Sequence, residues 1–320
     1  MGDEQHGRTG AVHPVHTYSI VARDPQTGQL GVAVQSHYFS VGSIVTWAEP
    51  GVGAVATQSF VRIDYGPEGL ALMKQGYPAD RALQELLAKD EQREVRQVAM
   101  VDSHGNVAVH TGSKCIAAAG HLVGEQFSVQ ANLMVDDAVW PAMKQAYEQA
   151  QGDLADRLMA ALDAGQAAGG DIRGQQSAAI LVVSGERTDR PWAGRLFDLR
   201  VEDHPRPVEE LKRLVRLRRA YMLNDLSDEL MAEGRFDEAA QAMSKAIALA
   251  PDIVEMQFWA AVGLFTAGRE EQALSLFREV FAKEPVWVDL VPRLVPSGLL
   301  PDDPTALKRI TDQYPRTDHP

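Results

Sequence analysis

The chain has 320 residues, 45% hydrophobic and 23% charged, enough for two domains with a sizeable core and typical of an ordinary soluble globular protein. Its formal net charge of −13 argues against nucleic acid and against an anionic membrane surface as main partners. The single cysteine, Cys115, excludes an internal disulfide and suits a reducing cytoplasm, and no run of about 18 apolar residues is present to span a bilayer.

Met1 to His16 is polar and lacks an apolar stretch, so it is expected to be a disordered extension and not a secretory signal. Strand-like runs follow at Tyr18–Ala22 and Leu30–Gln35, joined by the turn residues Pro25-Gln26-Thr27-Gly28. Further runs fall at Val52–Thr57, Val95–Val101, Val107–His110, Phe127–Asn132, Ala178–Val183 and Leu196–Val201. Ser103–Asn106 reads as a hairpin turn. Two gaps carry helical patterns. Gly66–Lys89 breaks at Gly76-Tyr77-Pro78, and Asp136–Ala168 breaks near Gly152, with Leu154, Leu158 and Leu162 on one face. Strands joined by tight turns favour antiparallel pairing, and helices arriving in pairs suit the outer faces of a four-layer αββα sandwich better than a doubly wound parallel sheet.

Composition changes after Pro205-Arg206-Pro207. No strand pattern follows, and a repeat of about 34 residues relates Leu230 to Leu264, Gly234 to Gly268, Ala239 to Ala273 and Pro251 to Pro285. The pattern resembles tetratricopeptide repeats. Two copies are fewer than the usual three, so a capping helix, expected at Glu209–Met222, the first domain or a second subunit has to cover the exposed ends. The expected division is an extension over 1–16, an α+β domain over 17–208 and a helical domain over 209–320. A protein partner or self-association is expected at the helical part.

The first domain resembles the domain-of-unknown-function 1028 family. The motifs that carry the resemblance are Thr17-Tyr-Ser-Ile-Val-Ala-Arg-Asp24, Gly51-Val-Gly-Ala-Val-Ala-Thr-Gln58, Tyr65-Gly-Pro-Glu-Gly-Leu70, Ser128-Val-Gln-Ala-Asn132 and Gly169-Gly-Asp-Ile-Arg-Gly174. The resemblance implies a fold like that of N-terminal-nucleophile hydrolases and a cytoplasmic enzyme acting on a small amide or ureido compound. The alternative is a catalytically silent metabolite-binding or assembly module. In such hydrolases a Thr, Ser or Cys at the head of the first hairpin attacks the substrate, and its free α-amine is the base. Here Thr17 holds that place, but His16 precedes it, whereas relatives commonly begin Met-Thr. The third strand, Gly51–Gln58, also lacks the lysine found in proteasome-type members of the wider fold.

The resemblance makes Thr17 the candidate nucleophile, against a strand threonine with a satisfied hydroxyl. Ser19 shares its face and is a substitute or a donor. Ser36 and Ser40 flank His37 and are expected in turns or on substrate. Gln58, Gln130 and Asn132 stand at strand ends, where amides can hold a substrate or an oxyanion, or simply satisfy the sheet. Asp171 and Arg173 sit in a glycine-rich loop expected at the rim of the cleft. Asp203-His204 suits acid–base work or a cap, Cys115 beside Lys114 a weak nucleophile or a buried strand, and Trp47 a pocket wall or core. The nine histidines show no metal-ligand spacing, so no metal and no cofactor is expected.

Overall fold

The computed structural model describes residues 14–314; most of the expected extension, residues 1–13, lies outside them. The chain divides into two compact units, Met1–Val215 and Arg216–Pro320.

The first unit is a mixed α/β structure with two antiparallel sheets. In chain order its elements are β1 (Pro14–Val15), β2 (Thr17–Arg23), β3 (Leu30–Ser36), α1 (Gly42–Val45), β4 (Thr46–Glu49), β5 (Gly53–Phe60), α2 (Tyr65–Lys74) and α3 (Ala79–Ala88). They continue with β6 (Arg96–Asp102), β7 (Val107–Thr111), β8 (Gly120–Gly124), β9 (Phe127–Ala131), α4 (Val139–Gln149), α5 (Leu154–Ala167), β10 (Ser177–Val183) and β11 (Arg195–Val201). One sheet runs β1-β5-β6-β7, with β4 also on β5; the other runs β11-β10-β3-β2-β9-β8.

The period-two alternation of the strands decides what lies between the sheets. Val21, Val32, Val34, Ala179 and Leu181 of one sheet meet Ala54, Ala56, Ala99 and Val101 of the other in one buried cluster. Opposite faces take the helices. Val55, Val98 and Met100 pack under α2 and α3 through Leu70, Met73, Leu83 and Leu86. On the second sheet, α5 lies so close over β3 that a Cβ on Gly31 would sit 2.7 Å from Leu158. The same alternation puts Thr17, Ser19, Gln58, Gln97, Gln130 and Asn132 on the inner faces at one end. The apolar core therefore gives way to a polar one there.

A buried ion pair braces this end. Arg96 Nε lies 2.9 Å from Asp90 Oδ2, and Arg96 Nη1 donates to the Phe60 carbonyl at 2.6 Å, fixing the end of β5. Burial raises the Asp90 pKa, but hydrogen bonds from Arg96, the Gln92 amide and Tyr65 outweigh it and hold the carboxyl below its ordinary value of 3.8. A folded-state pKa below the unfolded one contributes stability that is full above the ordinary value and is lost as pH falls through the folded one. Asp90→Ala is expected to cost about 3–5 kcal/mol near neutral pH, since it leaves Arg96 buried without its carboxylate. Urea denaturation of both proteins between neutral pH and the acid side of 3.8 checks this. The gap should narrow only at the acid end, and a gap constant with pH would remove Asp90 ionisation as its cause.

The second unit is helical. The helix α6 (Pro207–Ala232) begins in the first unit and ends in the second, and is followed by α7 (Phe236–Leu249), α8 (Val254–Thr266), α9 (Glu270–Lys283), a 3-10 stretch over Pro285–Leu294 and α10 (Pro304–Thr311). The 34-residue offset of the sequence reappears in the backbone. Gly234 and Gly268 both adopt φ +76°, a left-handed turn suited to glycine. Arg235 and Arg269 donate their amides to Leu230 and Leu264 carbonyls, both at 2.9 Å. Ala239 and Ala273 are 1% and 0% exposed, as expected where two helices come close.

Several elements depart from the sequence reading. β1, β4 and β8 are additional strands, all short, and α1 is an additional short helix directly before β4. The segment after Cys115 is a loop and not a buried strand: Ile116 is 39% exposed, and its carbonyl and that of Ala118 accept from the Leu133 and Met134 amides. Small alanines gave that run apolar composition without the alternation a strand needs. The helix expected at Glu209–Met222 extends to Pro207–Ala232.

Candidate active site

The chain enters on the first sheet, where Pro14 and Val15 of β1 pair with Phe60 and Ser59 of β5. It then crosses to the second sheet, where Thr17 pairs with Ser36. His16 is the residue at the crossing and is 4% exposed. Its ring meets Phe60 edge-on at 6.0 Å between centroids. Its Nδ1 lies 2.9 Å from Asn132 Oδ1. The Asn132 amide nitrogen already donates to Gln97 Oε1 at 2.9 Å and faces the Thr17 carbonyl at 3.5 Å, so the Asn132 oxygen is the acceptor and His16 Nδ1 carries the proton. Burial pushes the His16 pKa below its ordinary 6.5, with Arg173 adding to the shift and Asn132 and Asp171 opposing it. The ring is neutral near pH 7.

The carbonyl that joins His16 to Thr17 is gripped twice. Ser36 Oγ donates to it at 2.5 Å and Arg173 Nη2 at 3.0 Å. Ser36 stands at the end of β3, directly across the ladder from Thr17, which explains the first contact. The second depends on the glycine-rich loop. Gly170 takes a left-handed φ of +61°, which turns the chain so that Asp171 is 3% exposed. Asp171 then accepts from Arg173 Nε at 3.0 Å and Nη2 at 2.7 Å, a planar fork that fixes the guanidinium. The second Asp171 oxygen also accepts the His37 amide at 3.1 Å.

Beneath this junction lies a closed network of amides. Ser19 Oγ donates to Gln58 Oε1 and accepts from Gln130 Nε2, both at 2.6 Å. Gln58 Nε2 reaches Gln97 Oε1 at 2.7 Å and the Thr17 carbonyl at 3.2 Å. Gln97 Nε2 donates to Thr111 Oγ1 at 2.9 Å and the Ala131 carbonyl at 2.9 Å, and Thr111 meets His121 Nδ1 at 2.8 Å. Thr17, Ser19, Ser36, Gln58, Gln97, Gln130 and Asn132 are all 0% exposed. Such a network is stable only when every member is satisfied, which defines the geometry at the head of β2.

Eight residues singled out from sequence therefore come together: Thr17, Ser19, Ser36, Gln58, Gln130, Asn132, Asp171 and Arg173. Ser40 does not join them; it takes φ +55° in the turn before α1, with its amide on the Glu202 carbonyl. Ser19 has its hydroxyl engaged as both donor and acceptor. Gln58 and Asn132 turn their amide nitrogens to the Thr17 carbonyl, on the far side of Thr17 from the carbonyl of His16. Asp203 accepts from Gln176, and His204 Nδ1 accepts the Arg206 amide, so this pair closes the segment before α6. Cys115 Sγ donates to the Arg96 carbonyl at 3.3 Å, and burial pushes its thiol pKa up, away from thiolate character. Trp47 is half-buried beneath α2, where Gly66 leaves room for its ring. Sequence reasoning missed His16, Gln97, Thr111 and His121. Gln97 carried a signal, an amide on the alternation that leads inward along β6.

Among the described residues no group of three His, Cys, Asp or Glu is arranged to hold a metal ion, and no helix is long and apolar enough to cross a membrane. The second unit carries its own concavity of about 240 Å³, lined by Met231, Phe236, Met243, Ile247, Trp259 and Leu276.

No curated protein matches the chain. A crystal structure of protein SPO2555 from Silicibacter pomeroyi, described with the same family model, is similar: 31% identical, TM-score 0.56, with 62% of this chain and 88% of that one covered. Residues 17–211 match the DUF1028 model, described as a family of unknown function, and the chain belongs to that family.

Proposed function

We propose that the first unit is the precursor of an N-terminal-nucleophile amide hydrolase, an αββα sandwich that gains activity when the His16–Thr17 bond is cut. The observation that carries this reading is the double grip on the His16 carbonyl, with Ser36 Oγ at 2.5 Å and the Asp171-fixed Arg173 at 3.0 Å. A carbonyl held by a hydroxyl and a guanidinium is polarised toward attack, and charge developing on its oxygen meets donors already in position. The Thr17 hydroxyl reaches the His16 carbonyl carbon through a five-membered ring. Addition of Oγ to that carbon, with the hydroxyl proton passing to the Thr17 nitrogen, breaks the C–N bond and leaves an ester between His16 and Thr17. Water hydrolyses the ester to a His16 carboxylate and frees both the hydroxyl and the α-amine of Thr17.

That amine is then the base for attack by Thr17 Oγ on a small amide or ureido substrate. The lysine missing from the third strand has a stand-in. It is Arg173, whose guanidinium meets the carbonyl of the bond that is cut at 3.0 Å and so favours the neutral form of the amine released from that bond. The helical hairpins of the second unit are read as tetratricopeptide-like, with the concavity at Phe236 and Trp259 as the surface for a protein partner.

One observation favours a second reading. The amide network is closed and fully buried, as in a core that never opens. Residues 14–16 would then be a permanent part of the fold, and the unit a silent binding or assembly module. The Thr17 hydroxyl separates the two. In the full chain, Thr17→Ser is expected to release residues 1–16 and Thr17→Ala to retain them, both followed by mass spectrometry. Release from the alanine variant at the wild-type rate would assign the cut to another protease and remove the hydroxyl from it.

A further inference from the structure

The groups around His16 describe what could replace it. In the precursor reading His16 is the acyl half of the first bond that the site cuts, so its surroundings are a cast of an acyl group presented to Thr17. Attack requires the carbonyl carbon of any later substrate to stand where that of His16 stands. The neighbours are then the same: Ser36 Oγ and Arg173 Nη2 on the oxygen, Asn132 Oδ1 at 2.9 Å from the side-chain nitrogen, and the Phe60 ring edge-on at 6.0 Å.

We infer that the matured site takes amides of N-acylated amino acids whose side chain is planar and hydrogen-bonding, an imidazole or a carboxamide; the inference rests on Thr17 acting as an N-terminal nucleophile. Four features of the cast select this class. Asn132 Oδ1 needs a donor, because its partner nitrogen is committed to Gln97 and the Thr17 carbonyl. An aliphatic side chain would leave that buried oxygen unpaired, and a carboxylate would set acceptor against acceptor. A cationic side chain would be buried near Arg173 without a carboxylate to meet it, since Asp171 is already paired with Arg173. The flat slot beside Phe60 suits an sp² group. After hydrolysis the product carboxylate meets Ser36 and the guanidinium, a charge-assisted pair that the neutral amide substrate lacks.

The test uses the full chain after it has released residues 1–16 by its own cleavage and the released peptide has been dialysed away. Isothermal titration calorimetry with N-acetyl-L-histidine, N-acetyl-L-glutamine and N-acetyl-L-leucine varies the ligand and leaves the protein untouched. N-acetyl-L-histidine and N-acetyl-L-glutamine should bind, and N-acetyl-L-leucine about ten- to a hundredfold more weakly, the loss expected for one unpaired buried oxygen. Equal binding of the leucine compound, or no binding of the histidine compound, overturns the inference while leaving the nucleophile reading intact. The same preference should appear in the precursor. His16→Gln should release residues 1–16 within about tenfold of the wild-type rate, and His16→Leu about ten- to a hundredfold more slowly. A wild-type chain that never releases residues 1–16 overturns both the inference and the reading beneath it.

Discussion

Gln97→Leu is expected to destabilise the first unit by about 3–5 kcal/mol, a large fraction of a domain's stability. Gln97 joins the sheets where the polar core begins. Its oxygen accepts from Gln58 at 2.7 Å and Asn132 at 2.9 Å, and its nitrogen serves Thr111, Gly120 and Ala131. Leucine has similar volume, so no large cavity opens. The loss comes from the two amide nitrogens and the backbone carbonyls that lose their partner in a fully buried site, at about 1–3 kcal/mol for each group left unsatisfied. Some of it is recovered, because Gln58 keeps its contact with the Thr17 carbonyl. Urea denaturation monitored by far-ultraviolet circular dichroism measures it. Thr111→Val, which removes one outer link of the same network, should cost about 1 kcal/mol. A loss at Gln97 no larger than that at Thr111 would show that the amides are independent and that the network does not brace the head of β2.

Arg173→Ala carries the second large effect, on the rate of release, together with a loss of stability from the buried Asp171 carboxylate left without its guanidinium. Its side chain is 31% exposed, so truncation leaves no sizeable cavity. It removes one of two donors from the His16 carbonyl, and loss of one donor to a developing oxyanion lowers rates by about 10²–10³-fold. Release of residues 1–16 should slow by that factor. Ser36→Ala should behave alike, and the double variant should lose less than the product of the two, because both donors serve one oxygen. Arg173→Lys keeps the charge but not the planar fork on Asp171, and should fall between wild type and alanine. Mass spectrometry over a time course reads these rates. Wild-type release from both alanine variants would leave the grip on the carbonyl without a chemical role.

Much of this arrangement was legible in the chain, for a definite reason. Period-two alternation along Thr17–Arg23 puts Thr17 and Ser19 on one face, and the amides of Gln58 and Gln130 were marked by their places near the ends of their strands. The glycine-rich loop likewise announced that Asp171 and Arg173 lie where the backbone turns sharply. The 34-residue offset of the helical part was readable because repeated turns demand glycine at the same place, and both Gly234 and Gly268 take φ +76°.

What remained illegible depends on contacts between distant segments. His16 looked like the last residue of a polar tail. Only the pairing of Pro14 and Val15 with β5 makes it a buried crossing point. Gln97 belongs to the Arg96-Gln97 motif of the family resemblance but carried no site role in the sequence, and its role comes from Gln58 and Asn132, on two different sheets. Gln58 and Asn132 were expected at the oxyanion, but the strand register sends their nitrogens to the carbonyl of Thr17 itself. The third strand carries no lysine, and the cation that meets the His16 carbonyl, Arg173, sits on the loop before β10. Ile116-Ala-Ala-Ala119 misled in the opposite direction, because apolar composition without alternation does not specify a strand.

The most direct measurement is the intact mass and N-terminal sequence of the full-length protein, purified from its native host and sampled again after incubation. A species beginning at Thr17 is expected to grow at the expense of the full chain and to be absent from Thr17→Ala. A protein that keeps its residues before Thr17 in every sample would contradict it, since Thr17 would never gain the amine on which the mechanism depends.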